Sequence, residues 1–331
     1  MPLQLLRPRR WTPPAATARA RATSSTPPMP TLRRIELPAA GPEDVIVDDD
    51  GRLLTGVENG SVLRVDPASG TVETLANTGG RPLGLEPCAD GSVLVCDSRR
   101  GLLRITPDGA VEVLVDEVGG VPLNFASNVV ADDDGTIYFS ASTRRFDLEH
   151  YLGDFLEHSS TGRLLRRDPG GTVETLLDGL DFANGVVLAP DRSCVLVAQT
   201  GRYCVSRYWL TGPKHGSSDT LIDNLPGMPD NMALGSDGLV WISLPTARNP
   251  MLDRILPLPG VLRQLVWVLP EFAKPKPATT VWVMAVSFAG EIVHDLQQPG
   301  GDYSFVTSVV EHDGQVYLGG LHESALATFS L

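Results

Sequence analysis

A tight turn followed by a short apolar strand recurs along this chain, and the repeat limits the fold more than any other sequence feature. Asp-Gly pairs stand directly before runs such as SVLVCD, TIYFS and LVWIS. Asp-Gly tolerates positive φ and closes tight hairpins, so each copy predicts a strand–turn–strand unit. The five Asp-Gly copies are at 50–51, 90–91, 134–135, 237–238 and 313–314, and a sixth copy at Asp191 has no glycine.

The spacing of these turns predicts a ring of β-sheets. The first two glycine-to-glycine steps are 40 and 44 residues, the length of one four-stranded propeller blade. The strands are nearly continuous apolar runs, which is typical of sheets that neighbours cover on both faces. A strand at 31–37 and the last strand (SALATFSL) can pair and remove the open edge of the ring. We therefore predict an all-β fold, a single six-bladed β-propeller domain over residues 29–331.

Two segments do not follow the repeat. Residues 249–277 (NPMLDRILPLPGVLRQLVWVLPEFAKPKP) have helical apolar spacing interrupted by prolines, which predicts a short helical insertion in blade 5. This insertion is interpreted either as a packed connector or as a lid or a patch for peripheral membrane contact. Residues 1–28 contain five arginines and no acidic residue, and we predict a disordered basic tail, with a transit peptide as the alternative.

Composition excludes several classes of partner. The chain has 40 acidic and 27 basic residues, a net charge of −13 that argues against a nucleic-acid partner. No run of apolar residues is long enough for a transmembrane helix. Four cysteines without CxxC spacing suit a reducing compartment, so we predict a cytoplasmic location. Nothing in the sequence decides the oligomeric state.

A polar residue occupies the same phase of the first strand in four of the predicted blades. These residues are Glu43, Asn128, Asn184 and Asp230, each six or seven residues before its turn. The first strands of a propeller surround its axis, so residues of equal phase are expected to converge there. Each residue alone is also an ordinary strand-start or turn residue, but the shared phase favours a common site.

The chemistry of this set predicts a metal centre. Two crowded carboxylates repel each other unless a cation neutralises them. A set of oxygen donors without His or Cys suits a hard ion, and Ca²⁺ tolerates irregular geometry better than Mg²⁺. Asn231 follows Asp230 and offers a further oxygen. We therefore predict Ca²⁺, with another divalent cation as the alternative.

From about Leu32 to its last residue, the chain resembles the strictosidine synthase-like family. The resemblance is carried by GRLLRRDP, FANGVVLAPD, RYWLTGPKHG, PGMPDN and EHDGQVYLGG, and it is stronger to the adipocyte plasma-membrane-associated protein branch than to the plant alkaloid synthases. The wider superfamily of gluconolactonase/regucalcin proteins and paraoxonases has six-bladed propellers. Its hydrolytic members hold a catalytic calcium by Glu, Asn, Asn and Asp. The resemblance implies this role for Glu43, Asn128, Asn184 and Asp230, with Asp230–Asn231 as the paraoxonase-like pair.

The resemblance implies a calcium-dependent hydrolase of lactones or aryl esters that acts on a small-molecule substrate. Asp230 is then expected to orient or deprotonate the attacking water, with His322 near the tunnel mouth as a second candidate base. One alternative is a non-catalytic binding or interaction propeller with a structural calcium. Another is a condensing enzyme, which is disfavoured because Thr307 stands where the alkaloid synthases carry a catalytic Glu.

Overall fold

The structure, a computed structural model, describes residues 5–270 and 278–331. Within these residues six four-stranded antiparallel sheets follow one another, which confirms the predicted six-bladed β-propeller. The first strands of blades 1 to 6 contact their neighbours, so they surround a common centre. The hydrophobic core consists of clusters of buried side chains, several of them between adjacent sheets, and the largest joins blades 4 and 5.

The strands are numbered β1 to β26 in chain order, and β1 (Arg33–Glu36) belongs to blade 6. Blade 1 comprises β2 (Ile46–Val47), β3 (Leu53–Gly56), β4 (Ser61–Val65) and β5 (Val72–Asn77). Blade 2 comprises β6 (Pro82–Pro87), β7 (Val93–Asp97), β8 (Gly101–Ile105) and β9 (Val111–Val115). A separate hairpin is formed by β10 (Glu117–Val118) and β11 (Val121–Pro122). Blade 3 comprises β12 (Ala126–Ala131), β13 (Ile137–Ala141), β14 (Gly162–Arg167) and β15 (Val173–Leu180). Blade 4 comprises β16 (Ala183–Leu188), β17 (Cys194–Gln199), β18 (Cys204–Trp209) and β19 (Ser218–Ile222). Blade 5 comprises β20 (Met232–Leu234), β21 (Val240–Ser243), β22 (Thr280–Val286) and β23 (Ile292–Pro299). Blade 6 comprises β24 (Val306–His312), β25 (Gln315–Gly320) and β26 (Ala325–Ser330) together with β1.

The ring closes as the sequence predicts. Strand β1 pairs antiparallel with β26, in a register that sets Arg33 opposite Thr328 and Ile35 opposite Leu326. Ile35 and Leu326 are both buried in the same apolar cluster. An early strand thus completes the sheet of blade 6, which would otherwise end at β26.

The repeated turns join the first and second strands of the blades. Gly51 and its Asp-Gly equivalents adopt positive φ, the conformation that favours glycine. The copy without a glycine keeps the same geometry, because Arg192 has a φ of 57°. Arg192 also bridges two acids of blade 3, with Nε 2.8 Å from Asp132 and Nη2 2.6 Å from Asp133. Residues other than glycine rarely adopt this backbone conformation, and the two ion pairs hold Arg192 in it.

Three short α-helices lie over one face of the ring, and we call them the helical cap. Helix α1 (Leu152–Glu157) connects β13 to β14, while α2 (Pro250–Ile255) and α3 (Gly260–Trp267) lie between β21 and β22. Asn249 caps α2 by accepting hydrogen bonds from two backbone N–H groups. The predicted insertion in blade 5 is confirmed as helical over its described part; residues 271–277 lie outside the described residues. Helix α1 has no counterpart among the predicted elements. Single 3₁₀ turns occur at Ala18–Arg21, Leu148–His150, Thr200–Arg202 and Gly212–Lys214.

The sequence predicts a disordered basic tail over residues 1–28, and this stays a prediction. Its described part, residues 5–28, lies against the propeller. Trp11 stacks on His158 with ring centroids 4.5 Å apart, and Arg19 Nε is 2.6 Å from Asp295 Oδ2. These contacts come from isolated side chains in a Pro-, Ala- and Arg-rich sequence, so no periodic pattern indicates them. The predicted domain boundary after this segment stays a prediction.

The four cysteines are all free. Cys194 lies opposite Trp209 and Cys204 opposite Gln199, so the two residues occupy opposite ends of the β17–β18 hairpin. In the described part of the chain, no helix combines the length and the apolar character needed to cross a bilayer. The predicted cytoplasmic location stays a prediction.

Candidate active site at the propeller axis

The five predicted metal ligands lie at or just before the first strands of four blades. Asn128 is in β12 and Asn184 in β16, while Asp230 and Asn231 directly precede β20 and Glu43 precedes β2 by three residues. These strands contact one another around the centre of the ring. The convergence predicted from repeat phase therefore has a direct structural cause.

Hydrogen bonds join the five side chains in two groups, and Glu43, Asn184 and Asp230 of these groups share one cavity wall. Asn231 Nδ2 donates to Glu43 Oε1 at 3.1 Å, and Asn128 Nδ2 lies 3.4 Å from Asn231 Oδ1. Asn184 Nδ2 donates to Asp230 Oδ1. Four of the five are buried, whereas Asp230 keeps partial exposure to the cavity above it. The structure thus brings together residues separated by up to 188 positions in the chain.

Neighbouring groups that the sequence analysis missed hold the two amides. Val186 N donates to Asn128 Oδ1 at 2.8 Å, and Ser127 Oγ donates to Asn184 Oδ1 at 3.0 Å. Ser127 directly precedes Asn128, so its place in the sequence would have indicated it. The amide orientations are therefore set by protein partners before any ligand binds.

Asp44 is a second buried carboxylate next to Glu43, but its role differs. Its Oδ1 accepts from Val45 N at 2.9 Å and from the hydroxyl of Ser308, and its Oδ2 accepts from Leu85 N at 2.9 Å. Both oxygens are thus used to join blades 1, 2 and 6. We assign Asp44 to the structure of the ring rather than to the candidate site.

Electrostatics at the site favour a positive ligand. Burial raises the pKa of Glu43 well above its usual range, and the charges of Asp230 and Asp44 raise it further. Burial also raises the pKa of Asp230, against the opposing effect of its hydrogen bond from Asn184. Two carboxyl groups that both resist ionisation at one place would be stabilised as anions by a bound cation.

The donor set fits a hard cation. Glu43 Oε2 is buried and has no hydrogen-bond partner, although its companion Oε1 is bonded to Asn231. A buried carboxylate oxygen is costly when nothing compensates it, and a cation at this point would do so. The described residues contain no cluster of three or more His, Cys, Asp or Glu side chains suited to a metal. The candidate centre therefore depends on amide oxygens together with two carboxylates.

A small apolar cavity lies above this set, and we call it the axial cavity. It has a volume of about 70 Å³, and Glu43, Asn184 and Asp230 form part of its wall. Phe125, Phe182 and Phe305 line it together with other apolar side chains: Leu83, Leu148, Tyr151, Phe155, Met228, Pro245 and Leu321. The carboxylates thus face a cavity in which electrostatic interactions are stronger than in water.

Three phenylalanines of this wall share a repeat phase that the sequence analysis did not use. Phe125, Phe182 and Phe305 each directly precede the first strand of a blade, with φ of 56°, 60° and 53°. Left-handed backbone is unusual for an aromatic residue and clusters at functional sites. The sequences FASN, FANG and FVTS carry the signal, because a Phe stands at the same point in each.

A second cavity, the cap cavity, lies between the axial cavity and the helical cap. Its volume is about 170 Å³, and its wall includes residues from all three helices, such as Leu156, Ile255 and Val266. The two cavities share five wall residues: Tyr151, Phe155, Met228, Thr246 and Phe305. The axial site therefore adjoins a larger apolar space beneath the helices.

The structure does not bring His322 together with the five candidate ligands. His322 is exposed, and its ring lies against Phe305 with centroids 5.0 Å apart. Phe305 lines the axial cavity but His322 does not, so His322 lies at the rim. Thr307, in contrast, lines the cavity, and its hydroxyl donates to the backbone oxygen of Glu43 at 2.7 Å.

Comparisons with known proteins agree with this architecture. Residues 29–65 match the family model "Strictosidine synthase-like, N-terminal", and residues 127–213 match "Strictosidine synthase". The adipocyte plasma membrane-associated protein of Mus musculus is 31% identical over 90% of this chain and 77% of its own length. The protein strictosidine synthase-like 6 of Arabidopsis thaliana is 33% identical over 88% of this chain and 79% of its own length.

Solved structures share the fold at low sequence identity. A gluconolactonase of Xanthomonas campestris superposes with a TM-score of 0.67 at 18% identity, covering 97% of this chain and 99% of the other. A calcium-binding regucalcin of Agrobacterium tumefaciens gives a TM-score of 0.63 at 13% identity, covering 93% and 95%. These likenesses show a common six-bladed architecture.

Proposed function

Because this chain belongs to the strictosidine synthase-like family, we propose that it is a calcium-dependent hydrolase of lactones or aryl esters, with the ion at the propeller axis. A gluconolactonase shares its fold and supports a hydrolase at that level, and a calcium-binding regucalcin shares the fold as well. The observation that carries the proposal is the unpartnered Glu43 Oε2 among converging carboxylate and amide oxygens below an aromatic cavity.

Glu43, Asn128, Asn184, Asp230 and Asn231 would hold the ion. Bound there, Ca²⁺ would supply a Lewis acid that polarises the ester carbonyl and stabilises the oxyanion. Hydrogen bonds from Val186 N and Ser127 Oγ fix the orientation of the Asn128 and Asn184 amides without the ligand. Such preorganisation lowers the cost of arranging donors during the reaction.

Asp230 is the proposed base. Its carboxylate has Oδ1 bonded to Asn184 and is partly exposed to the axial cavity. This exposed face lets a water in the axial cavity come within hydrogen-bond reach of the carboxylate, as a general base requires. His322 stays a second candidate, and its exposed place at the rim suits proton exchange with solvent better than direct attack.

The cavity walls favour an apolar substrate. The phenylalanines of the axial cavity fit the aryl group of an ester, and the cap cavity fits an alkyl chain. A condensing enzyme is not proposed, because Thr307 supplies no carboxylate and its hydroxyl is bonded to a backbone oxygen.

Hydrolysis assays with and without chelator test the proposal. Phenyl acetate and a panel of γ- and δ-lactones should be turned over in Ca²⁺, lose turnover in EDTA and regain it on adding Ca²⁺. We expect Asp230→Asn to lower kcat/KM at least ~100-fold, as loss of a positioned base does. Its melting temperature in EDTA should stay close to that of the wild type.

Two outcomes would contradict this assignment. Turnover that is insensitive to EDTA would remove the ion from the mechanism. A protein that is stabilised by Ca²⁺ but hydrolyses none of the substrates would instead support a binding propeller with a structural calcium.

A further inference from the structure

Helix α3 buries Arg263 together with Trp267 and leaves several of its other apolar side chains exposed. Arg263 is fully buried, and its Nη1 donates to the backbone oxygens of Leu156 at 3.1 Å and Glu157 at 3.3 Å. On the other side of the helix, Val261 is 63% exposed and Leu265 is 57% exposed. A surface helix of a globular protein normally turns its apolar stripe toward the core.

The exposed apolar surface extends beyond α3. Among the described residues, fifteen large apolar side chains are exposed, and nine of them belong to the helical cap, its connecting residues or Leu5. Val268 follows α3 directly, and Leu258 lies between α2 and α3. A concentration of this kind marks an interaction surface rather than scattered exposed residues.

Arginines border this surface. Arg7, Arg9 and Arg10 are exposed, and the segment that carries them is fixed to the cap. The backbone N–H of Arg7 donates to the Glu157 carboxylate at 2.7 Å, and that of Arg9 to the Glu157 backbone oxygen at 2.9 Å. Pro8 packs closely against Gly260, the first residue of α3. Positive charge is thus concentrated here although the chain has a net charge of −13.

We propose that this surface, formed by Leu5, Val261, Leu265 and Val268 with the bordering arginines of residues 7–10, docks on an anionic phospholipid bilayer. The apolar side chains enter the boundary between headgroups and acyl chains, and the arginines contact the anionic headgroups. Exposed apolar side chains bordered by arginines form the pattern of segments that bind anionic bilayers. The cap cavity then opens next to the bilayer. This inference does not depend on hydrolase activity.

Vesicle co-sedimentation with the full chain tests the proposal. Vesicles of phosphatidylcholine alone are compared with vesicles containing 30% phosphatidylserine. We expect Val261→Glu combined with Leu265→Glu to lower the partition coefficient on the anionic vesicles at least ~10-fold, since two aliphatic side chains no longer enter the bilayer. Arg7→Gln, Arg9→Gln and Arg10→Gln together should remove most of the preference for phosphatidylserine, at roughly fivefold per arginine.

The matched control places the same charges on another face. Val113→Glu with Val293→Glu changes side chains of similar exposure on the outermost strands of blades 2 and 5. This variant should bind vesicles within about twofold of the wild type. Circular dichroism and thermal unfolding establish that each variant is folded.

The proposal is overturned if the wild type does not sediment with anionic vesicles, or if the control variant loses binding as strongly as the cap variant. Light scattering after size exclusion supplies a separate readout. The wild type could instead form a dimer and fail to bind vesicles. If Val261→Glu with Leu265→Glu then dissociates that dimer, the surface is assigned to a second copy of this chain and membrane docking is refuted.

Discussion

Glu43 combines three properties that rarely occur in one side chain. It is buried, its pKa is raised by burial and by neighbouring carboxylates, and its Oε2 has no partner. Each property costs stability when the carboxylate is ionised and nothing binds it. At the residue scale, we therefore expect the proposed cation to act on the free energy of unfolding through Glu43.

Glu43→Gln should uncouple stability from calcium. The wild type is expected to gain about 2.7 kcal/mol when Ca²⁺ is at 100 times its Kd, whereas the variant should gain much less. In EDTA the variant should be at least as stable as the wild type, because the amide removes a buried carboxyl that resists ionisation. Thermal unfolding in 1 mM Ca²⁺ and in EDTA measures both effects.

Glu86→Gln is the matched control for this experiment. Glu86 lies on the first strand of blade 2, where burial raises its pKa to about 8, and it accepts a hydrogen bond from Ala131 rather than from the candidate ligands. This variant should keep the calcium response. An equal response in the Glu43 variant would show that the ion binds elsewhere.

Single residues also show what could be predicted from the sequence. Asn128 and Asn184 were found because equal phase in a repeat becomes equal position around an axis. Phe125 and Phe182 obey the same rule and were missed, because an aromatic residue before a strand is common in cores. Only the left-handed backbone of these residues separates them from ordinary core residues.

At the scale of single elements, α1 shows why the cap was only partly predicted. It has six residues, too few for helical periodicity to stand out from the loop around it. It depends on tertiary contacts: Arg145 pairs with Glu157, and Ser159 Oγ donates to Asp154 Oδ1. The insertion in blade 5 was predictable because its helical pattern of apolar residues extends over more of the chain.

Asp154 makes the stability of α1 depend on pH. The side chain is 2% exposed, and burial raises its pKa to about 6. Hydrogen bonds from Ser159 and Thr143 lower the pKa, whereas the charges of Glu157 and Asp181 raise it. The folded protein therefore favours the neutral carboxyl. Its contribution to stability is fully present below pH ~4, the pKa of an ordinary Asp, and is lost as the pH rises through about 6.

Asp154→Asn should remove this dependence, since the amide stays neutral and can still accept from Ser159. Relative to wild type, the variant should gain about 1–3 kcal/mol between pH 4 and pH 7.5. Urea unfolding at both pH values measures the difference. Asp302→Asn, at an exposed position, should show no such gain. If the stability difference between Asp154→Asn and the wild type is the same at both pH values, the assignment is contradicted.

At the scale of the whole molecule, we expect the closure of blade 6 to make the ring one cooperative unit. Ile35→Ala removes a buried side chain from β1 and should lower the free energy of unfolding by about 2–5 kcal/mol. Far-UV circular dichroism and tryptophan fluorescence should still report one coincident transition. Ile292→Ala, at a 52% exposed position, should change stability by less than ~0.5 kcal/mol.

Two separate transitions in the Ile35 variant would mean that the blades unfold independently. The closed ring itself was predictable from the sequence, because a propeller with unpaired end strands leaves open edges. The docking of residues 5–28 was not, since it depends on single contacts such as Trp11 on His158.

The pairing of β1 with β26 also determines the order of events during synthesis. Arg33 meets Thr328, which follows it by 295 residues, so β1 leaves the ribosome long before its partner exists. Until then Ile35 lacks its strand partner Leu326 and the other blade 6 residues of its apolar cluster. Such a distant pairing slows folding and prolongs exposure to aggregation, so the nascent chain should depend on chaperones until translation is complete.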